Sequence, residues 1–249
     1  MTSRRELKNY AKQAMSGKYG ILILAFVAVQ ALALISSMIS SALFPGEETI
    51  DIVLSYAFTF ILTLLINVVA AGMNYMYLNI ARGKVYSLND LFYFYRHHPD
   101  RVIVAGFFMA VLNLLTMLPY TIYSNVNLPG EDASVEVLIT WLYTGVVLMI
   151  VGMIVYQILV IPLEMTYYIL ADKPELKSTE AMKESLEMMH GNFGRYLMLK
   201  ISFIPLMFLS VFTCYIALLW IFPYMAMTEV MFYRDLTGEL KVQKEEEER

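Results

Sequence analysis

Four polar side chains stand inside long apolar stretches, and their types are the ones in this sequence that could do chemistry. Two are the acids Glu164 and Glu229, one is the base Lys200, and one is the amide Asn74. A charged side chain is costly in hydrocarbon and usually has a partner of opposite charge. At 1.5 Å of rise per residue, the three charged residues lie roughly 6–11 Å inside the same membrane boundary. Their similar depth permits a buried Glu–Lys–Glu cluster between the second and third repeats of the chain, and Asn74 occupies a comparable place in the first.

Two interpretations of this cluster remain open. In the functional one, it is a polar intramembrane site that binds a lipid headgroup, an ion or a proton. In the structural one, Lys200 extends its ammonium group to the interface, and the acids pair with it or with backbone groups. Pro162 and Pro223 precede the two acids. Because proline kinks a helix and frees a carbonyl, each is compatible with a cavity beside the acid or with packing alone.

No known catalytic motif accompanies these residues. The sequence contains no HExxH, Walker-type, GxSxG or paired CxxC pattern. The run His97-His98-Pro99-Asp100 has metal-ligand residue types, but adjacent histidines on a helix point about 100° apart and rarely share an ion. The run indicates a solvated break between helices. We expect neither enzymatic activity nor a cofactor; an intramembrane hydrolase is a distant alternative.

The composition is that of an integral membrane protein. Of 249 residues, 59% are hydrophobic and 16% are charged, against about 25% charged in typical soluble domains. A spanning helix needs roughly 20 apolar residues, and a turn near 213–215 would divide the last apolar stretch in two. The sequence thus predicts an all-α polytopic membrane protein with six transmembrane helices. The apolar stretches are residues 19–44, 50–81, 102–124, 135–171 and 196–233.

Basic residues would all lie on one side of such a bundle. The outer loops with their adjoining helix ends, 45–51 and 125–136, contain acids but no Lys or Arg, and the 18 basic residues lie in the other connections and the termini. Cytoplasmic segments carry the excess of Lys and Arg. The pattern predicts that both termini are cytoplasmic and that the polar cluster lies toward the cytoplasmic leaflet.

One unit is repeated three times along the chain. Ser3, Ser87 and Ser178 each open a polar stretch before two membrane helices, and the acids Glu6 and Asp90 complete capping boxes in the first two. We expect a cytoplasmic amphipathic interfacial helix of about three turns in each unit. The approximate three-fold internal repeat comprises residues 3–86, 87–177 and 178–238 of a single membrane domain, 1–238. Residues 239–249 are predicted to be an acidic disordered tail.

The three amphipathic helices have two possible placements. Their apolar faces can lie in the acyl boundary of the bilayer or pack against the inner ends of neighbouring spans. Helical spacing predicts the apolar faces as Leu7, Tyr10, Ala11 and Ala14; Leu88, Leu91, Phe92 and Tyr95; and Met182, Leu186, Met189 and Phe193.

An uncharacterised bacterial membrane family, domain of unknown function 975, common in Firmicutes, resembles this chain in three stretches: SRRELKNYAKQAMSGKYG, MMHGNFGRYLMLKISFIPLMFLS and FPYMAMTEVMFYRDL. The likeness covers essentially the whole chain. The family is distantly similar to membrane domains attached to glycerophosphodiester phosphodiesterases, and it usually has a glycine-containing turn where this chain has 213–216. The resemblance implies a multi-pass protein of the bacterial plasma membrane and supplies no catalytic residue.

Two functions are compatible with the sequence. The first is a non-enzymatic protein that organises inner-leaflet lipids or membrane-associated partners through its cytoplasmic amphipathic helices; anionic lipid headgroups attract basic residues by about 1 kcal/mol each. The alternative is a transporter or carrier of a small or amphiphilic solute that uses the polar cluster, although the outer halves of the spans look apolar, which disfavours a pore. Nucleic acid is not an expected partner. The basic residues expected at the interface are Arg4, Arg5, Lys8, Arg101 and Arg195.

Overall fold

The computed structural model describes residues 2–46, 49–130 and 132–247, and within these ranges every regular element is helical. Short 3-10 segments at Leu88–Phe92, Ile161–Leu163 and Val211–Thr213 lie between the α-helices. In chain order the α-helices are α1 (Arg4–Met15), α2 (Tyr19–Leu43), α3 (Thr49–Ala81), α4 (Tyr93–Arg96), α5 (Pro99–Val126), α6 (Val135–Val160), α7 (Thr166–Asp172), α8 (Ser178–Met189), α9 (Phe193–Ile201), α10 (Ile204–Ser210), α11 (Leu218–Leu236) and α12 (Glu239–Glu247).

Five helical segments are long and apolar enough to cross a membrane. Large apolar side chains on them point outward: Met38 is 70% exposed and Phe212 is 86% exposed. Exposed apolar surface on this scale suits lipid rather than water, so the chain is a multi-pass helical membrane protein. The five segments are Tyr19–Leu43, Ile50–Ala81, Pro99–Val126, Val135–Asp172 and Phe193–Thr213.

Helix α11, the sixth span expected from the sequence, is not one of these five. Its second half carries Glu229, Arg234 and Asp235, which make it more polar than the others. It lies inside the bundle against α1, α2, α3, α10 and α12. The turn expected before it is confirmed, because α10 gives way to a 3-10 turn and Cys214 and Tyr215 adopt left-handed backbone conformations, with φ of 49° and 65°. The hairpin therefore closes without glycine.

Helix α1 packs against other helices instead of lying free. Its capping box forms as predicted: the Ser3 N–H donates to Glu6 Oε2 at 2.8 Å, and the Glu6 N–H donates to Ser3 Oγ at 3.3 Å. Leu7 and Ala11 of the predicted apolar face are buried, together with Met15, and the helix contacts α11 and α3. The structure thus realises the second of the two placements for this helix.

The second polar segment is not the three-turn helix that the sequence predicts. Its start is capped as expected, because the Ser87 N–H donates to Asp90 Oδ2 at 3.2 Å, but the backbone forms a 3-10 turn and then only the short α4. Leu91 and Phe94 are its buried residues, while the other three members of the predicted face are exposed. The cause lies in α3, where Gly72 admits the Leu91 carbonyl so closely that a Cβ there would lie 2.1 Å from the oxygen.

Helix α8 packs through a face that overlaps the predicted one only at Met189. Ser178, Ala181, Ser185 and Met189 are buried, whereas Leu186 is 48% exposed. Small residues allow close approach, and the hydroxyls find backbone acceptors: Ser185 Oγ donates to the Pro162 carbonyl at 2.8 Å, and Ser178 Oγ to the Arg101 carbonyl at 2.6 Å. Satisfying these carbonyls and packing closely outweigh the burial of the larger apolar side chains.

The helix breaks at Pro162, as proline favours, and the described part of the predicted disordered tail is helical. Helix α6 ends at Val160, and a 3-10 turn separates it from α7. At the other end of the chain, residues Glu239–Glu247 form α12. This helix is fixed at its start, where Glu239 accepts hydrogen bonds from Arg82 and Arg234 and Leu240 is buried. Residues 248 and 249 of the predicted tail lie outside the described ranges.

Candidate functional site

Glu164, Lys200 and Glu229 meet as the sequence predicts. Lys200 Nζ lies 2.6 Å from Glu164 Oε1 and 3.5 Å from Glu229 Oε1. Their side chains are 22%, 22% and 15% exposed for Glu164, Lys200 and Glu229, so the charges are mostly buried but still reachable. The geometry of the Glu–Lys–Glu cluster is therefore confirmed, and whether it binds a ligand stays a prediction.

Breaks in two helices position the members of this cluster. Glu164 follows the 3-10 turn at Pro162, and its N–H donates to the Ile161 carbonyl at 3.3 Å. Lys200 is near the end of α9, which stops at Ile201 before α10 begins. Glu229 comes from the continuous helix α11. Two helix interruptions and one intact helix thus converge on the ammonium group.

Tyr196 joins the cluster, although sequence reasoning did not include it. The side chain is completely buried, and Lys200 Nζ lies 5.1 Å from the centre of its ring, within the range of a cation–π contact. Its hydroxyl lies beside the Glu229 carboxylate but falls short of a hydrogen bond, and it has no partner within the described part of the chain. Tyr196 precedes Lys200 by one helical turn, and this spacing was a signal available in the sequence.

Glu164 is one of the residues that line a cavity of about 720 Å³ between α3, α5 and α6. Tyr56 and Asn67 of α3 both line it, and at 1.5 Å per residue these positions are about 16 Å apart. Glu164 is the only charged residue among the described ones that line the cavity. The other polar lining residues are Tyr56, Thr59, Thr63, Asn67, Asn113, Thr121, Tyr156, Gln157 and Tyr167.

This cavity brings together polar side chains of α3 and α5 that the sequence analysis did not single out. Thr59, Thr63 and Asn67 are spaced four residues apart and follow one face of α3. Asn113 and Thr121 share a face of α5. This four-residue spacing was visible in the sequence, but hydroxyl and amide side chains are common in apolar helices. Only the packing shows that the polar faces of α3 and α5 oppose each other.

Asn74 does not join the cluster, and most of the predicted interfacial basic residues make contacts within the protein. Asn74 is partly buried and is not among the described hydrogen-bond or ion-pair partners of the cluster. Lys8 Nζ donates to the Ser202 carbonyl at 3.0 Å and lies 4.0 Å from the centre of the Phe203 ring. Burial, and then the charges of two neighbouring basic residues on α1, lower the pKa of Lys8. Its charge is therefore turned inward.

The arginines predicted to lie at the interface fall into two groups, those paired or buried within the protein and those exposed at its surface. Arg195 Nη2 lies 2.6 Å from Asp235 Oδ2, and Arg101 Nη1 is buried without a hydrogen-bond partner in the described chain. Arg4 and Arg5 are exposed. Of the five basic residues predicted to meet lipid, these two alone stand free at the described surface.

Comparison with known proteins assigns a family but no activity. Residues 1–240 match the model of a family described as Protein of unknown function (DUF975). No curated protein and no solved structure matches the chain.

Proposed function

We propose that this chain, which belongs to the DUF975 family of unknown function, is a non-enzymatic membrane protein that binds and carries a small or amphiphilic solute. The solute would occupy the cavity between α3, α5 and α6. One observation carries the proposal: a cavity lined with hydroxyl and amide groups is also lined by Glu164, the cavity-facing member of the charged cluster. Its volume of about 720 Å³ is within the usual range for ligand pockets, roughly 300–1,000 Å³.

The lining favours an amphiphile over a simple ion. Apolar side chains such as Phe60, Leu114 and Leu118 alternate with the polar ones around the cavity. A molecule with an apolar body and a polar end would satisfy both sets, because a buried polar group without a partner is costly. The cavity also extends over about half of the hydrocarbon thickness of roughly 30 Å.

The topology included in this proposal has six crossings, with α11 as the sixth and both termini in the cytoplasm of a bacterial cell. The hairpin at Cys214 and Tyr215 supports it, as does the position of the basic residues. The three-fold repeat is part of the same proposal. It is supported by the capping boxes at Ser3 and Ser87 and by the equivalent bond of Glu180, whose carboxylate accepts from the Lys177 N–H at 2.9 Å. In this topology Glu164 lies toward the cytoplasmic leaflet.

A cavity-filling substitution tests the proposal directly. Ala110 lines the cavity, so Ala110→Phe would fill part of it. Ala33→Phe is the matched control, because Ala33 is exposed on the outer face of α2. Native mass spectra of the gently extracted wild type and both variants would show which solutes or lipids stay bound. We expect one adduct in the wild type and in Ala33→Phe that Ala110→Phe loses. Identical adducts in all three proteins, or none, would contradict the proposal.

Organisation of inner-leaflet lipid or membrane-associated partners is the second candidate. It is supported by Arg4 and Arg5, which are exposed beside each other on α1, and by Leu186, which is 48% exposed on α8. The charge part is tested by comparing lipid retention from anionic and zwitterionic nanodiscs for the wild type and Arg4→Gln/Arg5→Gln. Equal retention of both lipid classes by the wild type would remove the lipid part of this candidate.

A further inference from the structure

The charged cluster beside the cavity is not electrically balanced. It contains two carboxylates, Glu164 and Glu229, and one ammonium group, Lys200. With all three groups charged, its net charge is −1. Unbalanced charge is costly where water is scarce. Either a proton on one of the carboxyl groups or a single positive charge on a ligand would neutralise it, and we consider the charged ligand. Among the described residues that line the cavity, none supplies that charge.

The two carboxylates are not equivalent with respect to the cavity. Glu164 lines the cavity, whereas Glu229 and Lys200 do not. A ligand can therefore reach Glu164 directly. Glu229 lies 3.5 Å from the Lys200 ammonium group, and the hydroxyl of Tyr196 lies beside the Glu229 carboxylate.

Lys200 can serve either carboxylate. Its Nζ atom is close to Glu164 at 2.6 Å and only 3.5 Å from Glu229. A shift of about 1 Å would reverse this preference, and the four-carbon side chain of lysine has the freedom to make it. Lys200 Nζ also lies 5.1 Å from the centre of the Tyr196 ring.

From these contacts we infer that the cavity takes a monocationic amphiphile whose amine head pairs with Glu164 while Lys200 moves to Glu229. This inference rests on the proposed function and names its ligand class. The amine head replaces the ammonium group of Lys200 at Glu164, so each carboxylate keeps a positive partner and the net charge of the cluster becomes zero. An anionic head would meet an uncompensated carboxylate, and a neutral head would leave the charge unbalanced.

The ligand class is tested with two probes that share the same alkyl chain and differ in the charge and hydrogen bonding of the head group. Decylamine is charged at pH 7, and 1-decanol is its neutral counterpart of similar size. Calorimetric titration of the protein in maltoside micelles, corrected for partition into protein-free micelles, gives a Kd for each. We expect the wild type to bind decylamine at least about tenfold more tightly, the size of effect that one charge-assisted hydrogen bond provides.

Two variants and one control locate this preference. Glu164→Gln keeps the size of the side chain and should bring the two Kd values within about twofold of each other. Lys200→Met removes the internal competitor and should increase the preference for decylamine. Glu175→Gln makes the same charge change at an exposed site and should leave the preference unchanged. Because Lys200 contacts both acids, the binding data of Lys200→Met are interpreted only if this variant folds. If it does not fold, the result for Glu164→Gln alone tests the inference.

The outcomes separate this inference from the proposed function. Equal binding of both probes that Ala110→Phe abolishes would overturn the ligand class and leave the cavity as a binding site. A preference that persists in Glu164→Gln would also overturn it. Failure of both probes to bind, together with identical native mass spectra of the wild type and Ala110→Phe, would remove the proposed function and this inference with it.

Discussion

Arg82 and Asp172 form a two-point ion pair that joins the end of α3 to the end of α7. Arg82 Nη1 and Nη2 lie 2.5 and 2.7 Å from the two carboxylate oxygens. Arg82 also donates to Glu239 at the start of α12, and Tyr233 Oη of α11 donates to Asp172 at 2.8 Å. The hydrogen bonds to Asp172 raise the pKa of Arg82. The guanidinium group of Arg82 thus links the ends of α3, α7 and α12, and Asp172 extends this link to α11.

Arg82→Lys should loosen this link while keeping the charge. Lysine cannot reproduce the two-point geometry, and the pair is largely shielded, with Arg82 15% exposed. We expect a loss of about 1–2 kcal/mol of stability, or a fall in Tm of about 2–4 °C for each kcal/mol. Thermal unfolding in one detergent measures it. Arg96→Lys, at an exposed position, is the control, and an equal change in both variants would refute the role given to the ion pair.

Acid should weaken the packing of the helix ends through two carboxyl groups. Burial alone would raise the pKa of Asp235, but hydrogen bonds from Arg195 and Thr2 outweigh it and hold the pKa below its ordinary value. In Glu239, burial alone would also raise the pKa, but hydrogen bonds from Arg82 and Arg234 outweigh that effect. The pKa of Glu239 is therefore lowered as well. A carboxyl group with a lowered folded-state pKa stabilises the protein above its unfolded pKa, about 3.9–4.3, and loses that contribution as the pH falls through the folded-state value.

The expected result is a Tm that changes little between pH 7 and about 5 and falls below about pH 4. Asp235→Asn should lower the Tm at pH 7 and make the fall in acid shallower, because one of the titrating groups is gone. Glu175→Gln, at an exposed site, should follow the wild-type curve. A wild-type Tm that rises in acid, or an Asp235→Asn curve parallel to that of the wild type, would argue against this assignment.

Features set by regular geometry could be predicted from the sequence. The depth of Glu164, Lys200 and Glu229 follows from a constant rise per residue, and the structure brings the three together. The capping boxes at Ser3 and Ser87 depend on residues three places apart and also form. Local spacing therefore sufficed for the cluster and for the helix starts.

Features that depend on contacts between distant segments could not be predicted from the sequence. The buried face of α8 includes Ser185, whose hydroxyl donates to the carbonyl of Pro162 in another segment. The 3-10 turn at Leu91 is decided by Gly72 on another helix. The cavity exists because polar faces of α3 and α5 oppose each other. Periodicity gives the apolar residues of a helix but not the neighbour that selects among its faces.

Gly72→Ala should disrupt the docking of the 3-10 segment on α3. A Cβ at this position would lie 2.1 Å from the Leu91 carbonyl oxygen and 2.7 Å from the Asp90 carbonyl oxygen, and backbone atoms cannot move aside cheaply. We expect a loss of about 1–3 kcal/mol, typical of overpacking. Gly20→Ala is the matched control, because a Cβ there meets nothing within 4 Å and alanine is the better helix former. A Tm for Gly72→Ala equal to that of Gly20→Ala would show that the segment does not dock as described.

Ser185→Ala should weaken the attachment of α8 to the kink at Pro162. Ser185 is completely buried, and its hydroxyl donates to the Pro162 carbonyl at 2.8 Å. Loss of the donor leaves a buried carbonyl unsatisfied, which costs about 1–3 kcal/mol. Ser41→Ala is the control, since Ser41 is exposed and bonds only within its own helix.

Hydrogen exchange distinguishes this local effect from general destabilisation. If the hydroxyl holds α8 in place, the amides of Ser178–Met189 should exchange faster in Ser185→Ala, while those of α2 keep the wild-type rate, because opening is confined to the undocked helix. The same detachment would release the 3-10 turn that positions Glu164, so the preference of the cavity for decylamine over decanol should fall with it. Uniformly faster exchange in all helices would mean that Ser185 contributes only to global stability and does not position the cluster.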